Sequence, residues 1–174
     1  QSQIRMHSPD IVSVVWEGKG SSERRRRTLK EYKEGRKFRG LNRQFQYSQE
    51  DEKESFARQL QLLKGCLDTL PLYQPAVQYL EADDQIAYSC RQLFSKDYEK
   101  VIVSTDRDYF QLVDENTKVY RPVKTKENPK GEMISIDWML DKEKVYPVNY
   151  ALLKAIVGDK SDNIKGISGV GEAT

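Results

Sequence analysis

Apolar and polar positions along the chain follow two rhythms. Residues 11–16 (Ile-Val-Ser-Val-Val-Trp) and 101–105 (Val-Ile-Val-Ser-Thr) are β-branched and mostly apolar, the composition of strands buried on both faces. Further strands are predicted near 77–80 and at 118–123. The other rhythm is helical. Phe56, Leu60, Leu63 and Leu67 recur at i, i+4, i+7 and i+11, predicting a helix over about 51–70 with an apolar stripe facing the core. A second helix opens at Glu81 and is expected to bury Ile86, Cys90 and Leu93; others are expected at 137–144 and 148–157. Pro71 and Pro75 break the chain before the 77–80 strand, and a polar loop with Pro129 and Gly131 follows the 118–123 strand. Strands alternating with helices predict an α/β fold with a mainly parallel central sheet and helices on both faces. Sites in such sheets form beyond the carboxyl ends of the strands, which is where Glu17, Glu81 and Asp106 fall.

A chain of 174 residues accommodates one domain, or a domain and a fragment. It begins at Gln1 and stops at Thr174 inside a glycine-rich pattern, which predicts a piece cut at both ends. No apolar run reaches the ~20 residues of a membrane span and no signal peptide is visible, so a cytoplasmic location is expected. Cys66 and Cys90 share no metal-ligand spacing and form no disulfide framework. His7 is the only histidine and is expected at the surface; without a histidine base, covalent Ser or Cys catalysis has no support.

Charge changes the picture more than composition does. The formal net charge is +2, yet residues 1–50 carry 12 Lys/Arg against 6 Asp/Glu, leaving 17 against 21 for the rest. A basic first third beside an acidic remainder fits a polyanion held near metal-binding carboxylates. Ser21 or Ser22 can cap a helix carrying Arg24, Arg25, Arg26, Arg27, Lys30, Lys33, Arg36 and Lys37, with Arg26, Lys30, Lys33 and Lys37 on one stripe. An ordinary solvated face would interleave more acids for i,i+4 pairing, so the stripe reads as a nucleic-acid contact.

Three acidic groups follow apolar segments: Glu81-Ala82-Asp83-Asp84, Asp106-Arg107-Asp108 and Asp159-Lys160-Ser161-Asp162. Any one of them could be a helix start favoured by the helix dipole. Seven carboxylates in three such groups repel one another in a fold unless a cation compensates, and oxygen ligands suit a hard ion such as Mg2+ or Mn2+.

In that order, Val15-Trp-Glu-Gly-Lys19 with Glu31-Tyr-Lys-Glu-Gly-Arg36, Glu81-Ala-Asp-Asp84, Ser104-Thr-Asp-Arg-Asp-Tyr-Phe-Gln-Leu112 and Gly158-Asp-Lys-Ser-Asp-Asn-Ile-Lys-Gly-Ile-Ser-Gly-Val-Gly171 resemble the 5′–3′ exonuclease/flap endonuclease family. Its members include bacteriophage 5′-exonucleases and the 5′-nuclease domain of bacterial DNA polymerase I. The resemblance implies a PIN-like core over 1–157 with a helical arch at about 19–70, and the start of a helix-hairpin-helix-type element over 158–174. It implies a magnesium- or manganese-dependent nuclease using two or more ions. Glu17, Glu81, Asp83 and Asp106 would hold the first ion with Asp84 in or beside that shell, and Asp108, Asp159 and Asp162 would contribute to a second region. Lys33 and Arg36 would meet the scissile phosphate. Arg25, Arg26, Lys30 and Lys37, with Lys165, Gly166, Gly169 and Gly171, would contact DNA.

The implied partner is DNA with a 5′ end, flap or junction, or an RNA–DNA hybrid, bound by a monomer. The family has Asp at the position of Glu17, and its first strand, ending in a ligating Asp, is absent from this sequence. Two rival readings are a DNA-binding module with weak or lost cleavage, and a DxD phosphatase built on Asp106 and Asp108.

Overall fold

The computed structural model describes residues 2–32, 48–94, 97–123, 129–160 and 162–171. Its central sheet is mixed. Strand β1 (Lys100–Val103) runs parallel to β2 (Thr117–Arg121), and β2 pairs antiparallel with β3 (Glu132–Ile134), in the order β1-β2-β3. The polar loop predicted before Gly131 thus leads into a returning strand, which makes the mainly parallel expectation too strong. Tyr120 fixes that return: its hydroxyl donates to the Lys130 carbonyl, and a Cβ on Gly131 (φ +92°) would meet its ring.

Residues 11–16 form no regular strand. They run extended beside 72–75, with a parallel bridge between Ser13 and Tyr73 and the Trp16 N–H donating to the Pro75 carbonyl at 2.9 Å. The strand predicted at 77–80 is a turn, in which Tyr79 takes a left-handed φ of +62°. None of residues 11–16 is fully buried, and in β1 only Ile102 is. Among the described residues β1 pairs on one side alone, so its sequence reads as a central strand while its outer positions, Val101 and Val103, stay half-exposed.

The core lies on one face of the sheet. Ile102, Val119 and Ile134 pack against Tyr109, Phe110, Leu112 and Val113 of the segment after β1, and against Met139 and Tyr150. That segment is a 3-10 helix, Arg107–Leu112, with Phe110 at its centre and fully buried. Burying a Phe of this kind contributes roughly 3–5 kcal/mol relative to Ala. Helix α4 (Ala82–Tyr88) continues as a π-turn, Ser89–Leu93, and brings Ile86 and Cys90 to the core. The wider turn rotates the following residues, so Leu93 is 62% exposed and Phe94 instead packs edge-to-face on Tyr98.

Helices α5 (Ile136–Trp138, extended by a π-turn to Glu143) and α6 (Tyr150–Val157) match the two predicted late helices. Left-handed Lys144 ends the first, and a 3-10 turn, Pro147–Asn149, starts the second. Gly158–Asp159 (β4) and Ile164–Lys165 (β5) form a small antiparallel hairpin.

Three other expectations change. Helix α3 (Gln49–Asp68) forms behind a Ser48–Asp51 capping box, yet its apolar stripe is not core: Phe56 is 39% and Leu63 48% exposed. Gln74 ties it to the rest by bonding Asp68, Lys64 and Trp16, as does Lys64 over the Trp16 ring. Helix α2 spans only Glu23–Thr28; Leu29 is extended and the chain turns back, so Arg26 and Lys30 share no continuous helix. Ser22 sits at its N-cap without a side-chain cap bond. His7, at the end of α1 (Ser2–His7), is half-buried edge-to-face against Tyr120 with ring centroids 5.1 Å apart.

Candidate metal centre

The first carboxylate group assembles at the start of α4. Glu81 is its N-cap residue and is 1% exposed; Asp83 and Asp84 occupy the first turn, where acids also favour the helix dipole. Glu17 reaches it from the end of the 11–16 segment, its Oε2 accepting from the Ala82 N–H at 3.3 Å. The longer side chain of Glu17 therefore spans the gap. Gly18 makes the approach possible, because a Cβ there would lie 1.7 Å from the Val77 carbonyl oxygen.

Two residues of the basic segment turn into this group. The Arg25 guanidinium pairs with Glu81, and lies 3.4 Å from Asp83 and 3.1 Å from Asp84. Tyr32, buried, donates its hydroxyl to Glu81 Oε2 at 3.2 Å while its ring lies under Arg25. Arg24, Arg26, Arg27 and Lys30 stay exposed nearby in sequence. Lys33, Arg36 and Lys37 lie outside the described residues.

The second group forms where β1 ends. Asp106 is exposed and starts the 3-10 helix, its Oδ1 accepting from the Asp108 N–H at 2.9 Å. Arg107 between them points elsewhere, donating to Tyr150 Oη at 3.1 Å and pairing with Glu143. Asp159 comes from the β4–β5 hairpin, and Asp162, buried, from its turn. One oxygen each of Asp108, Asp159 and Asp162 lie within 4.8 Å of one another. The Lys154 ammonium, one turn back on α6, bonds Asp108 and Asp159, the latter at 2.5 Å.

Tyr109, buried, feels charges of both groups. Burial pushes its hydroxyl pKa up, and so do the charges of Asp83, Asp106, Glu17 and Asp108, in that order. A single buried hydroxyl thus feels carboxylates from three separate stretches of chain.

The hairpin owes its shape to two glycines. A Cβ on Gly166 would lie 2.2 Å from the Val157 carbonyl oxygen, and one on Gly158 (φ +92°) 2.4 Å from the Gly166 nitrogen. Gly166 is therefore required by internal packing. Gly169 and Gly171 have open space where a Cβ would be, and Lys165 is exposed.

All the donors are carboxylate oxygens and each group already accommodates a cationic head, so the residues fit hard divalent ions. Of the eight predicted ligands, Glu17, Glu81, Asp83 and Asp84 fall in the first group and Asp108, Asp159 and Asp162 in the second, with Asp106 tied to Asp108 by its backbone bond. Sequence reading missed Tyr32, Tyr109 and Lys154. Lys154 had a signal: it is the one charge in the otherwise apolar Tyr150–Val157 helix, and a half-buried charge needs a partner.

Residues 1–146 match the family model described as the 5′-3′ exonuclease, N-terminal resolvase-like domain. The chain belongs to the 5′–3′ exonuclease family. The thermostable DNA polymerase I of Thermus thermophilus is 33% identical over 165 residues, 95% of this chain and 17% of that protein. This 5′–3′ exonuclease-family chain thus spans about a sixth of that relative. Among solved structures, the T5 5′-exonuclease with divalent zinc ions bound aligns over 99% of the chain and 60% of that protein, with 25% identity and a TM-score of 0.77. The bacteriophage T5 D15 flap endonuclease, in a pseudo-enzyme-product complex with DNA and metal ions, aligns over the same shares at 25% identity and a TM-score of 0.75. No helix among the described residues is long and apolar enough to cross a membrane.

Proposed function

We propose that this chain is a divalent-metal-dependent 5′-nuclease that hydrolyses phosphodiester bonds of DNA at or near a 5′ end, flap or junction. The observation that carries the reading is that two carboxylate groups form from four stretches of sequence, one at Glu17 and the start of α4 and one at Asp108, Asp159 and Asp162, within a family of 5′–3′ exonucleases. The metal-bound state of the T5 relative supports it. RNA–DNA hybrids fit the same chemistry, as does a monomer acting alone.

Glu17, Glu81, Asp83, Asp84 and Asp106 would hold one magnesium or manganese ion, and Asp108, Asp159 and Asp162 a second. Such ions lower the pKa of a bound water and offset charge on the leaving oxygen. The protein's own groups do the rest. Tyr32 orients Glu81 by its hydroxyl bond, and Ala82 N–H orients Glu17. The exposed Arg24, Arg26, Arg27 and Lys30 supply positive charge for backbone phosphates. Lys33 and Arg36, outside the described residues, would meet the scissile phosphate as the family resemblance implies. Lys165, Gly169 and Gly171 offer a second backbone contact on the 158–174 element.

Asp106→Asn tests the reading. Asn keeps an oxygen for the Asp108 N–H and removes one negative charge, so the fold should stand. Single-turnover cleavage of a 5′-flap substrate in magnesium should be lost, with DNA affinity in calcium equal or tighter. Undiminished cleavage in saturating magnesium would refute the assignment.

A further inference from the structure

Each carboxylate group holds one of the chain's own cations. Arg25 contacts Glu81, Asp83 and Asp84; Lys154 contacts Asp108 and Asp159. Neither is an ordinary surface pair. The Arg25 side chain is one-third exposed against a Glu81 that is 2% exposed, and Lys154 is 28% exposed against an Asp159 that is 12%. Each head group occupies carboxylate oxygens that a divalent ion would need. Two cations cannot share those oxygens without strong mutual repulsion.

We propose that Arg25 and Lys154 are resident counter-ions, one for each group, and that a divalent ion binds by displacing them. This rests on the metal-dependent reading above. The arrangement keeps the five carboxylates these cations contact compensated before any metal arrives. It also sets metal affinity, because every binding event first breaks an ion pair. Arg25 governs the Glu81 group and Lys154 the Asp108 group, so the two affinities are adjustable separately.

Calcium and magnesium binding to the full chain without DNA, followed by calorimetry and thermal unfolding, tests this. Arg25→Met and Lys154→Met should each tighten one binding event by about three- to tenfold, the range expected when a partly exposed ion pair no longer has to be broken. Each should also unfold at a lower temperature in EDTA and gain more from calcium than the wild type. Arg25→Lys, which keeps the charge, should bind metal close to wild type. Should a variant fail to fold, the wild-type Arg25 side-chain N–H resonance answers instead: it should shift as calcium is added, and an unchanged resonance at saturation overturns the proposal. Equal or weaker metal binding by both Met variants also overturns it, leaving the nuclease reading intact. Absence of divalent binding by the wild type would sink both.

Discussion

Tyr32→Phe is the sharpest test of how the basic segment folds. The residue is 6% exposed, and its hydroxyl bonds Oε2 of Glu81, a residue 1% exposed. The substitution removes a single oxygen and keeps the ring, so the Arg25 contact 5.8 Å from its centroid remains. A hydrogen bond to a charged group contributes about 1.5–3 kcal/mol net. At 3.2 Å the bond is long for an O–H donor, which argues for the lower end, about 1.5 kcal/mol. For a chain of this size each kcal/mol shifts the midpoint by roughly 2–4 °C, so a fall of about 3–6 °C is expected. Urea and thermal unfolding in EDTA measure it without a metal contribution. The competing geometry is the unbroken cationic helix from Ser22 to Lys37, on which Tyr32 would be a surface residue. A change below about 0.5 kcal/mol, the scale of surface substitutions, would favour that helix and refute the fold-back onto Glu81.

Three further outcomes are expected. Arg26→Ala with Lys30→Ala should lower the slope of log affinity against log salt for DNA by up to about two, because each phosphate contact releases condensed counterions; an unchanged slope would make them a solvated face. Gly166→Ala should destabilise by at least about 1–3 kcal/mol in chemical denaturation, since its Cβ would drive into the Val157 carbonyl, and a neutral effect would contradict the hairpin packing. Lys33→Ala should slow single-turnover cleavage by about a hundredfold while affinity in calcium falls less than about tenfold; Arg27→Ala, the comparison, should do little to the rate, and equal behaviour would remove the catalytic role.

What the sequence made legible depended on how local the cause was. The helix at Gln49–Asp68 announced itself through its periodic stripe, a property of nearby residues; the Ser48–Asp51 cap that starts it is equally local, and sequence reading missed it. Periodicity, however, states only that a stripe exists, not what covers it, and Leu63 remains half-exposed. The same limit explains 11–16 and β1. β-branched runs favour extended backbone, but whether a ladder closes depends on neighbours remote in sequence. The early end of α2 had no local marker strong enough: Thr28 is only mildly unfavourable in helices and Leu29 is favourable, while a remote partner, Glu81, holds Tyr32 in the turned-back chain.

The acidic positions were legible for a different reason. Charge placed directly after an apolar segment conflicts with burial unless something compensates it, and that conflict is visible without knowing the fold. What compensates it was not visible. Asp83 and Asp84 stand 58 and 59 residues from Arg25, and Lys154 stands 46 from Asp108. Carboxylates that repel across such separations need an architecture to hold them together. The ends of β1 and of the extended 11–16 segment, with the start of α4 and the Gly158–Gly166 hairpin, supply fixed backbone for all four stretches. Tyr109, pressed by burial and by four of the charges, feels carboxylates from three of these stretches. The fold therefore does at this centre what no local preference would: it concentrates negative charge, and leaves to cations, the chain's own or bound ones, the task of making that concentration stable.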